Sequence, residues 1–404
     1  MTSLDTPLTL RSGATLPNRL AKAAMSEVLG DAAGAPTDAL VRLYERWGRS
    51  GAGLLITGNV MVDRGGMGEP NNVVIVDDRH LPQLRAWATA GQAHGARLWM
   101  QLNHAGRQSP RRLTPVPVAP SAVPMKGFFG AFAKPRALEP HEIEALIARF
   151  AAAAVVARDA GFAGVQIHAA HGYLISQFLS SRTNRRDDAW GGDAARRSRF
   201  LIEIVRAMRA AVGPAFPIGV KLNSADFLRG GFRIDDAISV ARALDAAGID
   251  LLEVSGGNYE SPAMTGSGEL PAGQRQSSRE REAYFLDYAR RIRAVVTTPI
   301  LLTGGMRSRA VMDAALASGN VDVIGLGRPM THAPDLPARL LDRSLEVAPS
   351  VKIRSRIRLL DDALQTMWFQ AQIHELAKGK EPDLELGTWS ALWRGMRAMT
   401  GAHA

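Results

Sequence analysis

Eight short runs of apolar and β-branched residues recur along this chain, and longer stretches with helical spacing separate them. The runs span residues 20–26, 53–62, 97–102, 164–169, 217–223, 250–255, 299–304 and 321–327. Helical patterns fall at 37–50, 79–94, 140–160, 195–212, 235–247, 281–295 and 307–318. In the 195–212 stretch, Phe200, Leu201, Ile204, Val205 and Met208 share one face, which is the 3.6-residue period. Gly161, Gly213, Gly248 and Gly319 each stand just past a helical run, where a C-terminal cap needs a residue without a Cβ. Strands apolar on both faces and alternating with helices predict a parallel sheet covered all round, and eight such units predict a TIM (β/α)8 barrel.

Residues 8–16 read as a hairpin closing the barrel floor. Two connections, 103–138 and 256–280, are long; both follow strands, which puts them on the catalytic face. The alternation stops after Pro349, so residues 1–349 form the barrel domain and 350–404 a helical extension. Within that extension 352–378 has helical character, and the tail carrying Trp389 and Trp393 is expected to dock on the barrel or on a partner subunit.

With 404 residues, 46% of them hydrophobic, the chain can bury such a core. The absence of Cys rules out disulfides, thiolate metal ligands and catalytic thiols, and fits a cytoplasmic protein. No basic-then-apolar leader opens the sequence, and its longest aliphatic run, 151–157, is too short to span a bilayer. A formal charge of +10 invites a nucleic-acid partner. The Arg residues, however, are dispersed among acidic ones with no aromatic platform between them, so no nucleic-acid and no membrane partner is expected.

His168-Ala169-Ala170-His171-Gly172-Tyr173 follows the fourth apolar run directly. Two imidazoles three positions apart can donate to one ligand oxygen, and a phenol two residues on is a weak acid within reach of that ligand. A pair of satisfied core histidines is the plain alternative; three polar rings at a strand exit favour a site. The loops after the seventh and eighth strands carry Gly304, Gly305, Gly327 and Arg328, glycines that let backbone N–H groups approach a phosphate beside a charged partner. Lys221, ending the fifth strand, can form a Schiff base, pair with a carboxylate or sit beside a cofactor. Gln101 can hydrogen-bond a heterocycle, and His104 can serve a ligand or cap a turn.

Together these segments resemble the Old Yellow Enzyme family of FMN-dependent ene-reductases, from about Leu8 to Pro337. The resemblance is carried by Asn18-Arg19-Leu20 leading to Met25, Gly53-Leu54-Leu55-Ile56 and Gln101 to Arg107. The His168-to-Tyr173 stretch with Gln177 to Ser180, Asn184-Arg185-Arg186, Gly191-Gly192, Arg197-x-Arg199-Phe200 and Gly325 to Arg328 complete it. It implies FMN across the barrel mouth, flanked by Ala23, Ala24, Met25, Ser26 and Asn59, with Gln101 at the pyrimidine edge and Lys221 near N1. By the same resemblance Gly304, Gly305, Gly327 and Arg328 hold the phosphate, His168 and His171 bind the substrate oxygen, and Tyr173 donates a proton. Relatives often have Pro at the position of Ala24, Cys or Thr at Ser26, Tyr at Val28 and Arg at Lys221.

The implied activity is NADH- or NADPH-dependent reduction of a small-molecule activated alkene, an α,β-unsaturated carbonyl or nitro compound. A nitro-compound or nitrate-ester reductase and an NAD(P)H oxidase are the alternatives within the family. A non-redox phosphate-binding lyase is the alternative outside it. The aromatic tail points to a homodimer or homotetramer.

Overall fold

A computed structural model describes residues 2–126, 130–226, 228–256, 286–351 and 361–399. Strands β1 (Leu8–Thr9) and β2 (Thr15–Leu16) form an antiparallel hairpin. The barrel itself comprises β3 (Leu20–Lys22), β4 (Leu54–Met61), β6 (Arg97–Asn103), β9 (Gly164–Ala169), β10 (Ile218–Asn223), β11 (Leu251–Ser255), β12 (Ile300–Thr303) and β13 (Val323–Leu326). Each pairs in parallel with the next, and β13 pairs with β3, which closes the ring. Three two-residue strands accompany them: β5 (Val73–Val74) beside β4, and the small pair β7 (Val118–Ala119) and β8 (Arg136–Ala137) inside the long 103–138 connection.

The expected barrel and its floor hairpin are therefore present. Leu10 and Leu16 of the hairpin pack with Ala21, Leu54, Ile56, Trp99, Leu251, Leu301 and Val323, the floor of the interior. Trp99 is 1% exposed and fills the centre; a Cβ on Gly164 or Gly219 would lie 2.7 or 2.8 Å from its indole, so these two strands carry glycine where they face it.

Above that floor the inner face turns polar, strand by strand. β6 runs Trp99, Gln101, Asn103; β9 runs Gly164, Gln166, His168; β10 runs Gly219, Lys221, Asn223; β11 runs Leu251, Glu253, Ser255. The intervening residues, among them Leu102, Ile167, Val220 and Leu252, face outward into the main core beneath the helices. Alternation in the strands thus directs apolar residues to the helices and carries polar ones inward only towards the C-terminal mouth.

Gly161, Gly213, Gly248 and Gly319 all have φ between 69° and 86°, the left-handed region that a helix C-terminal cap uses. Thr37 caps the Asp38–Gly48 helix by accepting from the Leu40 N–H, and that helix buries Leu40, Leu43, Tyr44 and Trp47 against the barrel wall. The predicted first strand is shorter than expected. It stops at Lys22, although the Ala23 N–H still reaches Leu326 O at 2.8 Å, and residues 24–29 run over the mouth as irregular chain. The short Leu174–Leu179 helix after the histidines had no counterpart in the sequence reading.

In the extension, helix Asp361–Ala377 packs on the Asp38–Gly48 helix: Arg42 donates to Ala377 O at 3.1 Å, and His374 Nε2 lies 2.9 Å from Glu27 O. Helix Thr388–Met399 packs on Asp361–Ala377. Trp389 and Trp393 are 68% and 56% exposed in the single chain, and the buried indole of this region is Trp368, at 0%. Most of the 256–280 connection lies outside the described residues.

Candidate active site

His168 is the last inward residue of β9 before the chain leaves the barrel. Its Nδ1 accepts from the Ala170 N–H at 3.2 Å, so the proton of the neutral ring is on Nε2. The chain then turns through His171 and Gly172, both left-handed with φ of 59° and 77°. A left-handed histidine is an uncommon conformation, of the kind that persists where surrounding bonds over-determine it. Here the His171 N–H donates to Asn223 Oδ1 at 3.2 Å, Asn223 Nδ2 donates to Asp226 at 3.0 Å, and His171 Nε2 lies 2.9 Å from Ser255 Oγ. Gln177 locks the turn from below, donating to Gly172 O at 2.7 Å and Ala105 O at 3.1 Å.

The turn places the His168 and His171 rings 5.0 Å apart at 80°, and the Tyr173 ring 4.8 Å from His168 at 77°. Burial drives both imidazoles well below the usual histidine pKa; the adjacent His171 and the Lys221 ammonium push His168 further down, and Lys221 does the same to His171. Both rings are therefore neutral at pH 7 and carry one N–H each, which for His168 is the Nε2–H. The Tyr173 hydroxyl accepts from Asn59 Nδ2 at 3.4 Å, Asn59 also reaches Ser26 Oγ at 3.4 Å, and Asn103 orients Asn59 from behind at 3.0 Å.

One layer down, Lys221 Nζ lies 2.9 Å from Glu253 Oε1. Glu253 Oε2 accepts from Gln166 Nε2 at 2.7 Å, and Gln166 Oε1 accepts from Gln101 Nε2 at 2.7 Å. Of the three options left open for Lys221, pairing with a carboxylate is the one observed. His104 caps its own loop, with Nδ1 accepting from the Gly106 N–H at 3.0 Å, and desolvation lowers its pKa to about 4.

Nine predicted residues converge on one cavity of about 170 Å³: Ala24, Met25, Ser26, Asn59, Gln101, His168, His171, Tyr173 and Lys221. Ala23 does not line it, being 1% exposed and held to β13. Gly304, Gly305 and Gly327 also stand apart from this cavity. Gly304 and Gly305 have φ of 137° and 73°, the region that favours glycine, and a Cβ on Gly327 would meet nothing within 4 Å, so open space adjoins the loop after β13. Arg328 lines an adjoining cavity of about 160 Å³ that shares Met25 and Ser26 with the first; its Nη1 lies 3.3 Å from Gln365 Oε1, and its guanidinium lies 5.7 Å from the Phe369 ring. Sequence reasoning missed Gln166, Asn223, Glu253 and Ser255. The available signal was a polar residue at every second position of runs otherwise apolar on both faces.

Neutral donors above, a buried cation and amide below, and glycine-bearing loops to one side fit a planar heterocycle bearing a phosphate. This is the class of barrel flavin oxidoreductases. A family model described as the NADH:flavin oxidoreductase / NADH oxidase family matches residues 3–345, and the chain belongs to that family. It is similar to the NADH-dependent flavin oxidoreductase iliE of Hypocrea jecorina (strain QM6a), 39% identical over 361 residues, covering 83% of this chain and 88% of that one.

Among solved structures it is similar to the Old Yellow Enzyme homologue from Zymomonas mobilis, with 28% identity and a TM-score of 0.73 over 88% of this chain and 97% of that one. It is also similar to a 2-naphthoyl-CoA reductase in complex with 2-naphthoyl-CoA, with 28% identity and a TM-score of 0.79. That match takes in 89% of this chain and only 55% of the other. The protein is thus an FMN-dependent oxidoreductase of the Old Yellow Enzyme family that uses NADH or NADPH. Among the described residues no helix is long and apolar enough to cross a membrane, and no group of three or more His, Cys, Asp or Glu is placed to hold a metal ion.

Proposed function

We propose that the protein reduces the activated C=C bond of a small α,β-unsaturated carbonyl or nitro compound, with His168 and His171 binding the activating oxygen and Tyr173 supplying the proton. The observation that carries this reading is the tautomer of His168: with Nδ1 engaged by Ala170, the Nε2–H is the ring's only donor. A neutral donor stabilises negative charge that develops on the oxygen without binding a ground-state anion tightly, so its interaction strengthens in the transition state. Bound FMN supplies the two-electron transfer from NAD(P)H to the β-carbon.

Tyr173 stands beside His168 and is steadied by Asn59, so its hydroxyl is oriented to deliver a proton to the α-carbon. Ala23, Ala24, Met25, Ser26 and Asn59 would flank the ring of the cofactor, Gln101 and Lys221 its pyrimidine end, and Gly304, Gly305, Gly327 and Arg328 its phosphate. The barrel (1–349) and the extension (350–404) would act as one unit, since His374 and Arg328 tie the second to the chain around the mouth.

The test is the double variant His168→Ala, His171→Ala. It should keep the yellow FMN spectrum yet lose enone turnover by roughly 100-fold or more, the scale of removing transition-state donors. Full turnover by a loaded double variant would reject these roles. Persistent nitroarene or oxygen reduction with no enone reduction in the unmodified protein would move the assignment to a nitroreductase or oxidase.

A further inference from the structure

Glu253 is a carboxylate at 0% exposure inside a barrel, and nothing about closing a sheet requires a charge there. Burying one costs several kcal/mol before pairing. Its two oxygens are used differently. Oε1 faces the Lys221 ammonium at 2.9 Å as an ion pair without an aligned hydrogen bond, and Oε2 accepts a hydrogen bond from Gln166 at 2.7 Å. A carboxylate only accepts, so the Gln166 amide must present its NH2 to Glu253 and its carbonyl to Gln101. Gln101 in turn must present its NH2 to Gln166, at 2.7 Å, which leaves its carbonyl for the cavity it lines. One carboxylate thereby fixes the direction of two amides across β6, β9 and β11 and neutralises a cation on β10.

We propose that Glu253 is a positioning residue for the FMN site: through Gln166 it turns the Gln101 carbonyl towards the cavity, and directly it offsets the cationic field of Lys221. This rests on the reading that the flavin's pyrimidine end lies over Gln101 and Lys221. That end offers an N3–H donor, which the Gln101 carbonyl matches, beside carbonyl and N1 acceptors, which Lys221 matches. Pairing Lys221 with an anion weakens its pull on negative charge arriving at the ring, so Glu253 holds the reduction potential below that of a site with an unpaired lysine.

The experiment uses holoenzyme carrying Glu253→Gln, which keeps the side-chain volume, removes the charge and lets the position donate as well as accept. Equilibrium titration against a reference dye should show a potential shifted to a more positive value. In a Lys221→Met background the buried carboxylate has lost its cation and is neutralised by taking up a proton, so the same substitution should produce a much smaller shift. A purely structural Glu253 would lower the unfolding midpoint without moving the potential, and a folded, yellow Glu253→Gln protein with the unmodified potential overturns the proposal. Should that variant fail to fold, Gln166→Met decides. It leaves the ion pair in place and releases Gln101, and FMN affinity, followed by recovery of flavin fluorescence on dissociation, should fall by about 10-fold. An unchanged affinity overturns the proposal as well. An unmodified protein that binds no FMN would instead sink the underlying assignment, an outcome distinct from both.

Discussion

Two lysines are buried near the barrel mouth, and they are used in opposite ways. Lys22, on the outer face of β3, is sealed at 0% exposure beneath the Asp38–Gly48 helix. Its ammonium lies 4.3 Å from the Trp47 ring and 5.1 Å from the Tyr44 ring, and donates to Ile56 O at 2.7 Å and the Tyr44 hydroxyl at 3.1 Å. Tyr44 donates a short hydrogen bond to Glu27 Oε1, which also accepts from the Gly58 N–H at 2.7 Å. This network pins the irregular 24–29 chain over the mouth to the bulged part of β4, where the register shifts between Ile56 and Asn59. Lys221 has its carboxylate on one side and a cavity on the other. Burial and charge pairing are common to both clusters. What distinguishes the Lys221 cluster is a side left open to a cavity.

The contrast can be broken most directly by Lys22→Met. Removing one member of a sealed network should lower the unfolding free energy by about 3 kcal/mol while leaving FMN absorbance intact, as followed by urea unfolding and visible spectra. Stable protein that loses its cofactor would place Lys22 in the site and erase the distinction. A smaller effect is expected from Tyr44→Phe, which withdraws a donor from Glu27 and an acceptor from Lys22; a loss of about 1–2 kcal/mol in the same assay would fit.

The smallest signal is in the pH dependence. Burial lowers the Lys22 pKa to about 8, against the attraction of Glu27, while an unfolded lysine titrates near 10.4. Between these values the unfolded chain holds more protons, so stability should rise with pH by at most about 1.4 kcal/mol per unit from this group. The contribution is complete above the upper value and lost as pH falls to about 8. That slope should vanish in Lys22→Met and survive in Lys221→Met.

The barrel was legible because its grammar is local. Strand runs such as 164–169 and 250–255 announce themselves by composition, and glycines such as Gly213 mark where helices stop. The His168–Tyr173 cluster was legible too, because three functional groups fall within six residues. Glu253 and Gln166 were hidden inside segments read as apolar on both faces, and their meaning depends on neighbours 87 residues apart in sequence. Lys22 passed unnoticed because its partners Tyr44 and Ile56 belong to a helix and a strand that the sequence cannot place against it. The early end of the first strand has the same origin: Glu27 is drawn to the Gly58 N–H, a contact 31 residues away. Trp389 and Trp393 show the limit of composition from the other side: they stay exposed in the single chain, on a helix that turns Ala391 inward.

The indole of Trp99 has a consequence for proton traffic. Wedged between Gly164 and Gly219, it stoppers the interior from below among the described residues. A proton consumed in turnover, like substrate and product, would then pass on the side of the imidazoles and not through the scaffold beneath them.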